Sequence, residues 1–269
     1  MYTTYFGKTF RFLFSSRWIT IFFGWCADRS WSAYFIPWFI KKYKIPMNEA
    51  ARTKSTEYRT FNDFFSRTLT KNARPIDSDP SSCISPADGI LYIFEHITEH
   101  TFFVVKETPL NLEKLLGKEN AEQAQEFIGG TLFLIYLAPY NYHRFHFPIS
   151  CTPGPITHIN GTYQSVAPFV YNFIQPLTEN ERHFVQLTPN MIMVAVGAMG
   201  VGKITWTYQQ KNSVSKGTEA GYFSFGGSTI LLLCKKGTCY FEEKYKNKEK
   251  KFPDNGYPIK MGEKIGRLL

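Results

Sequence analysis

The sequence predicts an α+β chain: a mainly β domain preceded by N-terminal amphipathic helices. Two observations carry this expectation. The first is a series of short apolar or alternating segments bounded by Gly, Pro or Lys, the pattern of strands: TLFLIYLA (131–138), MIMVAVGA (191–198), GKITWTYQ (202–209), STILLLC (228–234) and TCYFEE (238–243). The second is a change of period near the N-terminus. There Phe10, Phe14, Trp18, Ile21 and Trp25, and then Trp31, Tyr34, Phe35 and Trp38, recur at the three- and four-residue spacing of one helix face. Between these regions, residues 108–127 are rich in Leu, Glu and Gln and predict one or two further helices. Gly129-Gly130, the span from Gly197 to Gly202, and Gly226-Gly227 mark tight turns or close backbone approaches.

A chain of 269 residues suits one sizeable domain with an appendage. Hydrophobic residues at 43% and charged residues at 20% are ordinary for a folded protein and exclude disorder throughout. The predicted organisation is amphipathic helices over 1–45, a polar linker over 46–60, and the main domain over 61–269. The net charge of +9 favours acidic partners, and its location narrows them. Up to Lys44 the charged residues are Lys8, Arg11, Arg17, Arg29, Lys41, Lys42 and Lys44 against the single acid Asp28. This basic excess coincides with four of the five tryptophans, a composition that fits anionic lipid better than nucleic acid. No zinc-finger spacing or RNP-like motif is present, so no nucleic-acid partner is expected.

The apolar stretches WITIFFGWCA (18–27) and SWSAYFIPWFI (30–40) are each shorter than the roughly 20 residues a spanning helix needs. Joining them would place Asp28 and Arg29 within the span, at about 2.5–3.5 kcal/mol each. Helices lying on a membrane surface are therefore expected, the second shortened or kinked by Pro37, on the cytoplasmic face of a bacterial-type cell membrane. The five cysteines are widely spaced with no CxxC, which predicts neither a disulfide framework nor a zinc site; Cys234 and Cys239 are placed to flank a hairpin.

Three segments carry unusual polar residues. In SPADG (85–89), Pro86 and Gly89 shape a turn that presents Asp88. In YHRFHFP (142–148), His143 and His146 would face opposite sides of an extended segment and so do two different jobs. On a helix they would share a face, but no HExxH pattern supports a metal, and none is expected. In FGGSTI (225–230), two glycines precede Ser228 and a strongly apolar strand follows it. Glycine freedom would let the Gly227 carbonyl approach the Ser228 hydroxyl, which a histidine oriented by an aspartate could deprotonate.

These segments, with TFNDFFSR (60–67), RPID (74–77) and NER (180–182), resemble in order those of the phosphatidylserine decarboxylases, from about Phe61 to the C-terminus. The resemblance implies a self-cleavage triad of Asp88, His146 and Ser228. Ser228 would attack the Gly227 carbonyl, and elimination and loss of ammonia would leave a pyruvoyl group at position 228. Cleavage would give a large chain, 1–227, and a small pyruvoyl chain, 228–269, that stay together. The pyruvoyl cofactor would form a Schiff base with the amine of the phospholipid substrate and act as an electron sink. His143 resembles the family residue that returns a proton to the substrate. Some relatives carry Leu where this chain has Gly226. The sequence does not show which basic group holds the lipid phosphate, and it leaves homo-oligomer formation open.

Two other readings use the same residues. A Ser–His–Asp lipid hydrolase would keep the chain whole, but GxSxG is absent and the serine leads into a strand instead of a helix. A membrane-associated relative that no longer cleaves would not need Asp88, His146 and Ser228, all of which are present.

Overall fold

The computed structural model describes residues 17–98, 102–103, 108–109, 111–167, 175–198, 203–210, 212–226, 228–246 and 255–269. It is mostly antiparallel β-sheet with a few short helices, the longest of them near the N-terminus.

The N-terminal region forms α1 (Arg17–Ala27), a 3-10 turn (Ser30–Phe35) and α2 (Ile36–Tyr43). Phe10 and Phe14 lie outside the described residues. Pro37 stands in the first turn of α2, where a missing N–H costs no helical bond, so it starts the helix instead of kinking it. Lys44 ends α2 in the left-handed conformation at φ 50°. Helix α3 (Phe61–Phe65) is capped by Thr60, whose hydroxyl accepts the Asp63 N–H. Ile36 and Phe39 of α2 pack with Phe61, Phe64 and Phe65 of α3 in one apolar cluster. The periodic aromatics face the other way: Trp25, Trp31, Tyr34, Phe35 and Trp38 are exposed. No helix among the described residues is long and apolar enough to cross a membrane.

The predicted linker is tied to the rest of the fold by one buried ring and two ion pairs. Tyr58 is buried, Arg52 pairs with Asp63 at 2.5 Å, and Glu49 pairs with Arg74 at 2.8 Å. Residues 108–127 divide into α4 (Leu112–Leu116), a 3-10 turn (Lys118–Asn120) and α5 (Ala121–Gln125). The break falls at Gly117, whose φ of 87° an α-helix cannot continue. A last short helix, α6, spans Pro176–Glu179.

The strands are β1 (Ser82–Ile84), β2 (Gly89–Phe94), β3 (Phe102–Phe103), β4 (Thr108–Pro109), β5 (Thr131–Leu137), β6 (Arg144–His146), β7 (Ile156–Ile159) and β8 (Arg182–Thr188). They continue with β9 (Met191–Val196), β10 (Ile204–Trp206), β11 (Glu219–Phe223), β12 (Ser228–Cys234), β13 (Cys239–Phe241), β14 (Tyr257–Ile259) and β15 (Lys264–Leu268). The main sheet has seven strands in the order β14-β2-β5-β12-β9-β8-β7, and two three-stranded sheets, β1-β15-β13 and β10-β11-β6, flank it. Strand β12 sits at its centre, between β5 and β9. Its alternate residues enter two different cores: Ile230, Leu232 and Cys234 join one cluster, Leu231 and Leu233 the other. Burial on both faces explains why 228–234 is a continuous apolar run with no alternation. Cys234 ends β12 and Cys239 begins β13, but these strands lie in different sheets and do not form a paired hairpin.

Two register facts place the site. Ser228, the first residue of β12, pairs with Leu137, the last of β5. The chain leaving β5 then turns at once, the Asn141 N–H donating to the Ala138 carbonyl at 2.9 Å, and returns as β6. The first residue of β2 is Gly89, beside Asp88, and a Cβ there would lie 2.3 Å from the Tyr136 carbonyl oxygen. Backbone cannot yield to that contact cheaply. Gly89→Ala is expected to lower the stability of the uncleavable Ser228→Ala chain by about 1–3 kcal/mol in urea denaturation.

Candidate functional site

Ser228 is fully buried at the end of the sheet, and the turn after β5 brings His143 to it. The His143 Nδ1 lies 3.1 Å from the Ser228 Oγ, and its Nε2 lies 3.0 Å from the Ala138 carbonyl oxygen. A carbonyl only accepts, so Nε2 carries the proton and Nδ1 presents its lone pair to the serine hydroxyl. The Phe65 ring stacks on the imidazole at 3.9 Å between centroids. Burial foremost, then the nearby Arg67 charge, pushes the His143 pKa down to about 3. In the fold this histidine is neutral.

His146 makes no hydrogen bond to Ser228 among the described residues. Its Nδ1–H donates to the Gly217 carbonyl at 3.0 Å, and its Nε2 accepts from the Tyr142 hydroxyl at 3.2 Å. Burial holds its pKa below the ordinary range. Asp88 is buried in a bidentate pair with Arg74: Nε lies 2.8 Å from Oδ1 and Nη2 2.5 Å from Oδ2, and the Met261 N–H also donates to Oδ1. Arg74 in turn holds Glu49.

The structure therefore brings His143 to Ser228, with no hydrogen bond joining Asp88, His146 and Ser228 among the described residues. It does set their segments side by side. The His146 N–H donates to the Pro86 carbonyl at 2.8 Å, and Asp88 contributes to the electrostatic environment of His146. Gly227 lies outside the described residues. Gly226 adopts φ 143°, a conformation that favours glycine.

Several neighbours were not singled out from the sequence. Arg67 and Arg74 stand inside the TFNDFFSR and RPID segments, which was the available signal. Tyr142, which bonds His146, begins the histidine segment itself. The NER segment proves to be scaffold. Asn180 donates to the Gln164 and Gly197 carbonyls at 2.7 and 2.8 Å, and Arg182 donates to the Leu115 and Asn180 carbonyls at 2.6 and 2.7 Å. An apolar cavity of about 730 Å³ opens beside the site. Phe22, Trp31, Trp38, Tyr136, Val166 and Gly226 are among its lining residues.

Comparison with known proteins places this geometry in context. The family model described as phosphatidylserine decarboxylase matches residues 61–267. The phosphatidylserine decarboxylase proenzyme of Chlamydia caviae is 37% identical, an alignment covering 100% of this chain and 90% of the relative. That of Clostridium novyi is 39% identical over 92% of this chain and 84% of the relative. Phosphatidylserine decarboxylase proenzyme 3 of Schizosaccharomyces pombe is 36% identical over 86% of this chain but only 24% of its own length.

The buried histidines set a pH dependence. Free histidine titrates near about 6.5, whereas His143 and His146 are both lowered in the fold. Below that value the unfolded chain binds more protons than the folded one, so stability falls as pH drops through the window and rises with pH. The loss attributable to His143 is complete only below about 3. Urea midpoints of the Ser228→Ala chain should therefore fall as pH is lowered from about 6.5 to 5, above the range where carboxylates titrate. Adding His143→Gln should flatten that slope.

Proposed function

The chain belongs to the phosphatidylserine decarboxylase family, and we propose that it converts phosphatidylserine to phosphatidylethanolamine with a pyruvoyl group made from its own Ser228. The observation that carries the proposal is the buried Ser228 hydroxyl on the proton-free Nδ1 of His143. A serine so placed can lose its proton to an adjacent base without water, and Gly226 supplies the flexible approach on the N-terminal side.

Self-cleavage would proceed by attack of the Ser228 oxygen on the Gly227 carbonyl, turning the peptide bond into an ester. Elimination then releases the carboxylate of 1–227 and leaves an unsaturated residue 228, which loses ammonia on hydrolysis. The fold suits such a cut. Residues 228–269 contribute β12 between β5 and β9, β14 beside β2, and β15 beside β1, so pairing would hold the two chains together. The pyruvoyl group supplies a keto carbonyl that takes up the electrons left when CO2 departs. By resemblance Asp88 and His146 serve the cleavage, and His143, at position 228, manages the proton returned to the substrate. The His143–Ser228 contact also favours a second division, in which His143 itself takes the serine proton.

The exposed aromatic face of α1, the 3-10 turn and α2 is proposed to lie on the cytoplasmic surface of the cell membrane. Arg29 stands over the Trp25 ring at 4.3 Å and Lys42 over Trp38 at 4.7 Å, pairing apolar surface with positive charge as interfacial helices do.

Intact mass under denaturing conditions tests the chemistry. The parent chain should give two fragments that divide between 227 and 228, the smaller blocked at its N-terminus. Ser228→Ala should remain one chain without decarboxylase activity; two chains from it would sink the proposed site, and one full-length mass from the parent would favour a hydrolase or a silent relative. His146→Ala should stay uncleaved and His143→Ala cleave without turnover. The reverse outcome would assign the serine proton to His143. Separately, replacing Trp25 and Trp38 with Ser should lower flotation with anionic-lipid vesicles while leaving the fold intact; undiminished flotation would remove this face from the membrane contact.

A further inference from the structure

Three arginines surround the site, and two are neutralised. Arg74 lies between Asp88 and Glu49, and Arg144 pairs with Glu219 at 2.8 Å. Arg67 is different. It is buried, yet it has no carboxylate partner and its Nη1 has no hydrogen-bond partner among the described residues. A buried charge without a counter-ion is costly, so its place calls for a compensating role.

Its contacts point to one. The Nη2 group reaches the carbonyl oxygens of Tyr140 and Asn141 at 3.4 and 3.3 Å. These belong to the turn that fixes the Ala138 carbonyl, on which the His143 Nε2–H rests. Two residues earlier in the chain, Phe65 stacks on the same imidazole. The guanidinium itself lies over the Phe64 ring at 5.1 Å. One short segment, 64–67, thus stacks on His143 through Phe65, holds the preceding turn through carbonyl contacts of Arg67, and sets a positive charge near the imidazole.

We propose that Arg67 is a positioning residue for His143: it ties down the turn that orients the imidazole, and its unneutralised charge keeps that imidazole neutral with Nδ1 free toward position 228. The proposal rests on the reading that His143 works at residue 228, under either division of the histidine roles. The groups facing His143 are the Ser228 hydroxyl from β12, the Ala138 carbonyl from the end of β5, and Phe65 and Arg67 from α3 and its exit. Around Arg67 stand Tyr58, Asp88, Tyr142 and Arg74. Arg67 is the charged group among those acting on His143, and it acts in the same direction as burial. A cation disfavours the protonated imidazole, so removing it must raise the pH at which His143 titrates.

The test is an NMR titration of the His143 imidazole in the uncleavable Ser228→Ala chain, comparing Arg67 with Arg67→Gln, Arg67→Met and Arg67→Lys. Arg67→Met is included because its unbranched apolar stem preserves packing on Phe64 if the Gln variant does not fold. The titration should move upward by roughly one pH unit or more in Gln and Met and stay near the parent value in Lys, which keeps the charge. A folded Gln or Met variant whose His143 titrates with the parent would overturn the proposal. So would a Lys variant shifted as far as Gln, which would show packing in place of charge. Because this readout needs neither cleavage nor turnover, it stands or falls apart from the proposed function, which the intact mass of the parent chain tests.

Discussion

The pairing of Ser228 with Leu137 is the constraint on which the site depends. It brings the first residue of β12 level with the last residue of β5, so the turn that leaves β5 must pass over the serine. That turn needs only Ala138 to Asn141 before the chain reaches His143. A one-residue slip would transfer Ser228 to the opposite face, away from His143, and Ile230, Leu232 and Cys234 would leave their core with it. The hydrophobic pattern of a central strand therefore fixes the aim of a polar side chain at its end. Seven residues of β12 are buried, so the register is specified by packing and does not rely on the site.

The strands legible in the sequence include the continuous apolar runs β5, β9 and β12 and, within segments bounded by Gly or Lys, the short β10 and β13. Others hid behind their polar work. Strand β8 begins with Arg182 and His183, because Arg182 satisfies carbonyls at the end of α4 and His183 accepts from Trp206. Strand β15 carries Lys264 and Arg267 around Gly266, where a Cβ would strike the Tyr240 carbonyl. For the N-terminal region the period picks out Trp31, Tyr34, Phe35 and Trp38, which are exposed but lie across a 3-10 turn and α2 instead of along one helix. Ile36 and Phe39, either side of Pro37 and Trp38, supply the buried face against α3, and Trp25, Trp31 and Trp38 are left outside.

At the site, residue identity was legible and partnership was not. The extended reading of YHRFHFP gives the two histidines different jobs, and in the fold their ring nitrogens have different partners, Ser228 and Ala138 for His143 and Gly217 and Tyr142 for His146. Which of them meets Ser228 depends on the β5–β12 register, a contact across 85 residues. The SPADG turn likewise points to Asp88 without naming its partners. Its arginine lies fourteen residues earlier, and its N–H donor comes from Met261 near the end of the chain. Such long-range choices leave no local periodicity to read.

Burial then imposes a chemical compromise. A dry imidazole keeps its lone pair and excludes competing water, but the same dryness makes it a weak base, because the imidazolium that must form is poorly solvated. Arg67 deepens that cost instead of relieving it, and Asp88 is already committed to Arg74. A weak base can still serve where two requirements are met, exclusion of water and a geometry that does not drift. The stacked Phe65, the doubly used Ala138 carbonyl and the buried sheet end all serve that second requirement. The site is thus organised for fixed position more than for base strength.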